Sequence, residues 1–154
     1  MSQQLTPFIE PGTEVTTLYT TLVPSVTETD TLSKNPVTEL CALAFPTSLT
    51  PDEHKALNQN LIDFRTALTE HLPENDRPKS WAMGQVERPG VLEHHASSSG
   101  QAFVHILAVG WESVQKHLTI KGSKEFMGSI TPIREKMLTP VGGLKMKHVS
   151  FNQL

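Results

Sequence analysis

The sequence of 154 residues has a single cysteine, Cys41, so no disulfide bond can form within the chain. It has no block of basic residues, and its formal net charge of -3 argues against nucleic-acid binding. No apolar run approaches the roughly 20 residues that a membrane span needs, and the N-terminus lacks the pattern of a secretory signal. These absences predict a cytoplasmic protein that binds neither nucleic acid nor membrane.

The residues that are present divide the chain into two parts. Residues 1–36 are dominated by Thr, Pro and Ser, with Lys34 as their only basic residue. Inside this N-terminal extension, the segment from Val15 to Val23 has strong β-propensity. It is either disordered or a strand that adds to a sheet edge or to a second subunit. Residues 37–154 have the length of one domain with a full core.

Hydrophobic periodicity predicts alternating strands and helices in this domain. Thr50–Glu53 is a helix start with a capping box, and an apolar stripe at helical spacing follows it as far as Leu72. A second helical region begins at Ser113, with a break at Gly122 and a kink or split at Pro132. Strands are predicted for residues 37–45, 80–88, 102–111 and 144–151.

The element order is therefore β-α-β-β-α-β, the split βαβ arrangement of ferredoxin-like α+β proteins. It predicts a four-stranded antiparallel sheet with helices on one face. The other face is also apolar, and soluble proteins rarely expose so large an apolar patch. Because the sequence has no internal repeat of this unit, we expect a second copy of the chain to cover that face in a homodimer.

The strand from Ala102 to Trp111 carries one histidine, His105, among apolar residues on both faces. A buried imidazole has a lowered pKa and is neutral, so it can accept a proton near pH 7. His148 alternates with apolar residues in the last strand, and the expected strand order can put it on the face of His105, two strands away. We interpret His105 and His148 as candidate catalytic residues, or else as histidines satisfied within the core.

Trp111-Glu-Ser113 at the strand end, His117 in the next helix and the run from Ser123 to Phe126 resemble the strand-to-helix signature of antibiotic biosynthesis monooxygenase (ABM) domains. ABM domains belong to the dimeric α+β barrel superfamily, and the resemblance spans residues 37–154. It implies a homodimer with a small-molecule cavity and chemistry without a cofactor. Some members oxidise phenolic substrates with molecular oxygen, whereas cyclase relatives use acid/base chemistry on polyketides.

Several other residues are candidates for contact with a substrate. Apolar and aromatic side chains suit the wall of a pocket for a planar ring, and the loop Glu93–Gly100 could close over it. Adjacent His94 and His95 point in opposite directions in an extended segment, and no second cluster completes a metal site, so we predict no metal. The candidates for substrate contact are Trp81, Met83, Phe103, His94, His95, Trp111 and His117. For Trp111 and His117 the alternative is packing at the strand-helix corner.

These features predict a cofactor-independent enzyme of specialised metabolism that acts on a hydrophobic, aromatic or polyketide-like small molecule by cyclisation, isomerisation or elimination. The alternatives are an ABM-type monooxygenase of a phenolic substrate and a barrel that binds a hydrophobic ligand, or serves in a stress response, without catalysis. Such oxygenases use a Trp, an Asn and a Tyr, for which Trp81 is a candidate tryptophan. Proton transfer is favoured over oxygenation because the histidines are better placed than any such set. The one tyrosine, Tyr19, lies in the extension.

Overall fold

The computed structural model describes residues 10–13, 15–26, 28 and 30–152. Residues 1–9 of the predicted extension and the last two residues of the predicted domain lie outside the described residues. The elements are β1 (Tyr19–Thr20), α1 (Thr31–Lys34), β2 (Val37–Pro46), α2 (Pro51–Thr66), β3 (Ser80–Arg88), β4 (Leu92–Glu93), β5 (Gln101–Trp111), α3 (Val114–Ile120), α4 (Lys124–Arg134) and β6 (Lys147–Val149). A π-helical turn, Ala67–His71, extends α2, and a 3₁₀ turn, Glu74–Asp76, precedes β3.

The strands form one antiparallel sheet in the order β1-β3-β5-β2-β6, with β4 beside β5. The predicted strands correspond to β2, β3, β5 and β6, and their order confirms the predicted ferredoxin-like α+β fold. The sheet has six strands rather than four. Tyr19 and Thr20 of the extension pair with the outer edge of β3. After Pro89 and Gly90 end β3, Leu92 and Glu93 resume the pairing along β5.

The helices pack on one face of the sheet, toward which the odd-numbered residues of β2 and β5 point. In this register Cys41 lies opposite Leu107, and Leu43 lies opposite His105. The predicted stripe of α2 is buried against this face, together with residues of α4. The principal core therefore lies between the sheet and the two helices.

The helix start at Thr50 forms as predicted. The Glu53 N–H donates to Thr50 Oγ1 at 3.3 Å, and the Glu53 carboxylate accepts from the Thr50 N–H at 2.7 Å. These reciprocal bonds satisfy two backbone N–H groups at the start of the helix. They fix where α2 begins and hence which of its residues reach the sheet.

The second helical region is broken after Ile120, as the glycine at position 122 predicts. Ser123 restarts the helix, because its hydroxyl accepts the Phe126 N–H at 3.2 Å. Pro132 does not split α4, which ends two residues later at Arg134. The break leaves Lys121 in a turn between α3 and α4, close to the sheet.

The second face of the sheet is partly covered by the chain itself, whereas the sequence predicted that only a second copy of the chain would cover it. Leu18 of the extension and Leu138 and Val141 of the segment after α4 pack on it. The buried residues covered in this way are Ala44, Val86, Ala102 and Val104. The expectation failed because neither covering segment has a helical or strand periodicity that would identify it as part of the core.

Candidate active site

A cavity of about 120 Å³ lies between the sheet and the helices α2 and α4. Charged residues in its lining are Glu39 on β2, Lys121 after α3 and Arg134 at the end of α4. Arg134 is exposed and Lys121 is half-buried, so both mark the side on which the cavity opens to solvent. Glu39 lies deeper, with 14% of its side chain exposed.

Apolar side chains form most of the remaining wall. Phe64 contacts Phe126 edge to face, with ring centroids 5.2 Å apart, and contacts Trp81 in the same manner at 5.5 Å. The wall also includes Leu68, Leu107, Met137 and Met146. An apolar cavity of about 150 Å³ is large enough to bind benzene. The space here therefore suits a molecule with a single ring.

Glu39 is a carboxyl group on the helix-covered face of a central strand. It lies opposite Val109 on β5 and opposite His148 on β6, so these side chains form one row across the sheet. The indole N–H of Trp111 donates to Glu39 Oε2 at 3.1 Å. Oε1 makes no hydrogen bond to a described residue, so in a carboxyl group that lines the cavity it is the oxygen without a protein partner.

Burial governs the protonation of Glu39. It raises the pKa of the carboxyl group above the ordinary value of 4.5, whereas the Trp111 hydrogen bond and the positive charge of Lys121 act in the opposite direction. A raised pKa in a cleft is typical of acid/base residues. Glu39 is therefore the best-placed titratable group in the cavity.

Two histidines lie behind Glu39. His117 is fully buried, and its Nε2 lies 3.3 Å from Glu39 Oε2, although the N–H is not aligned for a hydrogen bond. Its Nδ1 lies 2.7 Å from His148 Nε2, and its ring stacks on Trp111 with an interplanar angle of 9°. His148 is half-buried on the edge strand β6. The three titratable groups thus run from the cavity to the edge of the sheet.

Burial also shifts the pKa of His117, the middle group of this row. Burial, together with the charges of the neighbouring His148 and Lys121, lowers the pKa of His117 to about 4. Both shifts favour the neutral forms of Glu39 and His117. The contact between the two histidines then needs one proton, carried either by His117 Nδ1 or by His148 Nε2.

His105 and His148 share the helix-covered face, as the expected strand order allowed. They are not hydrogen-bonded, because His105 lies four residues along β5 from the row of Glu39, a distance of about 13 Å. His105 contacts the rings of Phe45 and Phe103, each with centroids 5.9 Å away. Burial lowers its pKa to about 4, and neither ring nitrogen has a hydrogen-bond partner among residues 10–13, 15–26, 28 and 30–152. A catalytic role for His105 stays a prediction.

The residues predicted to contact a substrate do not all line the same cavity. Trp81 lines the cavity, and Met83 packs at the margin of the principal core. Phe103 stacks with His54 of α2, with ring centroids 4.9 Å apart. His54 is half-buried near the start of that helix.

The loop histidines have structural contacts of their own. His94 is buried, and its Nδ1 accepts the Ala96 N–H at 3.2 Å while its Nε2 lies 2.7 Å from the Thr139 carbonyl oxygen. These two contacts assign the proton to Nε2. The exposed ring of His95 stacks on that of His94. His94 therefore ties the loop to the segment after α4.

Three charged residues of the cavity, Glu39, Lys121 and Arg134, do not stand out in the sequence. Alternation along β2 is a signal that could have identified Glu39, since residue 39 shares a face with Val37 and Cys41. Cys41 is half-buried on the same face, and its burial raises the pKa of the thiol to about 12, which keeps it uncharged. Among the residues that the structure describes, no three His, Cys, Asp or Glu side chains converge to hold a metal ion.

Comparison with protein-family models finds no match for this sequence, and comparison with curated proteins finds none either. The solved structures that are similar to it include the following two. A dimeric ferredoxin-like protein of unknown function from Thermobifida fusca YX is 13% identical, with a TM-score of 0.47, and the match covers 77% of this chain and 93% of that one. The "Putative antibiotic biosynthesis monooxygenase from Nitrosomonas europaea" is 10% identical, with a TM-score of 0.36, and the match covers 77% of this chain and 98% of that one.

The second of these structures carries the name of the family that the sequence resembles. Neither likeness carries an argument about function, which rests on the site itself. In the part of the chain that is described, no helix is both long enough and apolar enough to cross a bilayer.

Proposed function

We propose that the protein is a cofactor-independent enzyme that moves a proton on a hydrophobic small molecule, with Glu39 as its general base and acid. The observation that carries this proposal is a largely buried carboxyl group that lines an apolar cavity and is backed by two histidines. Burial raises the pKa of Glu39, and a carboxylate with a raised pKa is a stronger base toward a weakly acidic C–H or O–H.

In the proposed step, Glu39 Oε1 removes a proton from a carbon next to a carbonyl group or from a phenolic hydroxyl. The electron pair stays on the substrate as an enolate or phenolate. Return of the proton to another carbon gives an isomerisation, and departure of a leaving group gives an elimination. Attack of the enolate on a second carbonyl carbon gives a cyclisation, so the three reactions share one proton transfer.

Trp111 and His117 are proposed as positioning residues. The Trp111 N–H holds Glu39 Oε2 and so leaves Oε1 directed to the cavity. His117 is itself held by its stacking on Trp111 and by its contact with His148. His117 and His148 form the path by which Glu39 exchanges its proton with solvent, because His148 lies at the half-buried end of the row.

His105 is the second candidate for the base. Its imidazole is buried, and among the described residues both ring nitrogens lack a hydrogen-bond partner, so one of them is free to accept a proton. Phe103 and His54 lie on its helix side, where a ligand would have to enter between them. Glu39 is favoured because it lines the cavity, whereas His105 does not.

The quaternary state is a further part of the proposal. Leu40, Ala42 and Ile106 stay half-buried on the second face of the sheet, beside the segment that contains Leu144. A second copy would remove this apolar strip from water in a homodimer. Light scattering that gives twice the mass of one chain supports this part, and a strictly monomeric mass at high concentration argues against it.

Deuterium incorporation from D₂O into phenylpyruvate tests the proposed chemistry. This compound has one ring, and its benzylic C–H is acidic because a ketone lies next to it. The wild-type protein is expected to accelerate the exchange, and Glu39→Gln to lower the rate constant by roughly 10²–10⁴. Glu112→Gln is the matched control, since Glu112 is exposed and one residue from Trp111.

Each outcome separates the alternatives. If deuterium exchange persists in Glu39→Gln but is lost in His105→Gln, His105 is the general base. Binding of phenylpyruvate without any acceleration supports a non-catalytic ligand-binding protein. Oxygen consumption with a phenolic substrate supports the monooxygenase.

A further inference from the structure

The cavity carries an excess of positive charge at its mouth. Lys121 and Arg134 both line it, and neither makes a salt bridge or a side-chain hydrogen bond to any described residue. The Lys121 ammonium is close enough to Glu39, Cys41 and His117 to affect the charge of all three. Glu39 carries at most one negative charge, so it cannot cancel both cations.

The turn that carries Lys121 owes its position to the helix break. The Lys121 N–H donates to the His117 carbonyl oxygen at 3.0 Å, and the Ser123 N–H donates to the Ile120 carbonyl oxygen at 2.9 Å. These backbone bonds hold the turn beside Glu39 while the side chain of Lys121 has no partner of its own in the described part of the chain. Such a cation needs a counter-ion when a ligand excludes water from the cavity.

We propose that the ligand of this cavity is a hydrophobic acid with one ring, whose anionic group lies between Lys121 and Arg134 while the ring lies against Trp81, Phe64 and Phe126. The inference rests on the proposed function, because it names the substrate class of the same site. The cavity volume of about 120 Å³ limits the ligand to one ring, and the two cations favour a ligand with a negative charge.

The two cations also suit the proposed reaction. Removal of a proton by Glu39 leaves a negative charge on the substrate oxygen, and a preorganised cation stabilises that charge in a site from which water is excluded. Lys121 is the nearer of the two to this charge, since it affects Glu39 itself. Arg134, which is exposed at the end of α4, is the better placed to meet a carboxylate at the mouth.

A matched pair of ligands tests the charge. Calorimetry with 3-phenylpropionate and 3-phenylpropanamide compares an acid with a neutral compound of the same shape. The wild-type protein is expected to bind the acid about tenfold more tightly. Lys121→Met and Arg134→Met are each expected to reduce this preference, and the double variant to abolish it. Added salt should also reduce it.

Each control variant removes one positive charge from an exposed position outside the cavity. Lys124→Met and Arg65→Met change exposed residues outside the cavity and are expected to keep the preference of the wild-type protein. Equal binding of the acid and the amide, binding of neither, or a preference that survives in the double variant would overturn the proposal.

Failure of this inference is distinguishable from failure of the proposed function. An absent acid preference together with Glu39-dependent deuterium exchange overturns the charge assignment alone. An acid preference that depends on Lys121 and Arg134, together with exchange that does not depend on Glu39, overturns the proposed base and leaves the ligand class in place.

Discussion

His117 Nδ1 and His148 Nε2 lie 2.7 Å apart, which makes them one hydrogen-bonded pair between helix α3 and the edge strand β6. A hydrogen bond between two imidazoles requires that one nitrogen carries the proton and the other accepts it. Because the opposite nitrogen of His117 faces Glu39, the proton position in this pair is linked to the protonation of the carboxyl group.

The first prediction concerns His148→Gln. The glutamine can hydrogen-bond His117 but cannot take up a proton, so we expect the exchange rate of phenylpyruvate to fall by roughly tenfold while its affinity stays unchanged. The pH profile of the rate should also change, because glutamine offers no ionisable group beyond His117. A control variant, His71→Gln, changes an exposed histidine at the end of the π turn and should leave both quantities unchanged. An unaltered rate and pH profile in His148→Gln would contradict the proposed proton path.

The second prediction concerns the stability of Glu39→Gln. Since burial raises the pKa of Glu39 in the folded state, the folded protein binds more protons than the unfolded chain between pH 4.5 and that raised value. The free energy of unfolding of the wild-type protein therefore falls as pH rises through this window. Denaturant titrations of Glu39→Gln should lack this decrease and give the more stable protein at neutral pH. A variant less stable than the wild type at pH 7 would count against burial as the cause of the shift.

The third prediction concerns His105→Leu. The folded-state pKa of His105 is lowered from 6.5 to about 4, so the stability it contributes is complete above pH 6.5 and is lost as pH falls toward 4. This change corresponds to about 3 kcal/mol. Leucine cannot titrate and leaves no unpaired ring nitrogen, so the variant should unfold at higher denaturant concentration than the wild type at pH 5. His95→Leu, at an exposed position, should not share this gain.

The fourth prediction tests how the extension docks on the sheet. A Cβ atom added at Gly84 would overlap the backbone carbonyl oxygen of Thr21 and lie 2.7 Å from Thr20 Oγ1. Gly84→Ala should therefore displace this segment and expose the Val23 amide, which donates to the Met83 carbonyl oxygen at 2.9 Å. Hydrogen exchange at Val23 measures the displacement.

Gly128→Ala is the matched control for that variant. A Cβ atom at Gly128 has no neighbour within 4 Å, and the position lies inside α4. The substitution should stabilise the protein by about 0.5–1 kcal/mol and leave exchange at Val23 unchanged. Slow exchange at Val23 in Gly84→Ala would mean that the segment does not pair with β3 at this point.

Much of the fold follows from local signals in the sequence. The capping residues Thr50 and Glu53 predict the start of α2, and the apolar alternation of residues 102–111 predicts β5. The cover of the second face could not be predicted, because Leu18 and Val141 belong to segments without periodicity. The burial of these two residues depends on the positions of the sheet edges in the folded protein, which the local sequence does not indicate.

The candidate site was harder to predict than the fold. Glu39 is a charged residue in an apolar run, and its burial depends on Trp111, which is 72 residues away in the sequence. His117 was predicted from a motif, but its contact with His148 depends on the short strand β6 pairing with β2. Lys121 and Arg134 are charged residues of the kind usually found on a protein surface. Only the packing of α3 and α4 brings them to the same cavity.

The carbon-13 NMR titration of the Glu39 carboxyl group tests the central claim most directly. The resonance is assigned by comparison with Glu39→Gln, and the titration is followed in the wild-type protein and in His148→Gln. We predict a midpoint above 4.5 that changes when His148 is replaced, because the carboxyl group shares its proton with the histidine row. A midpoint at or below 4.5 that is the same in both proteins would contradict Glu39 as a buried, histidine-coupled base.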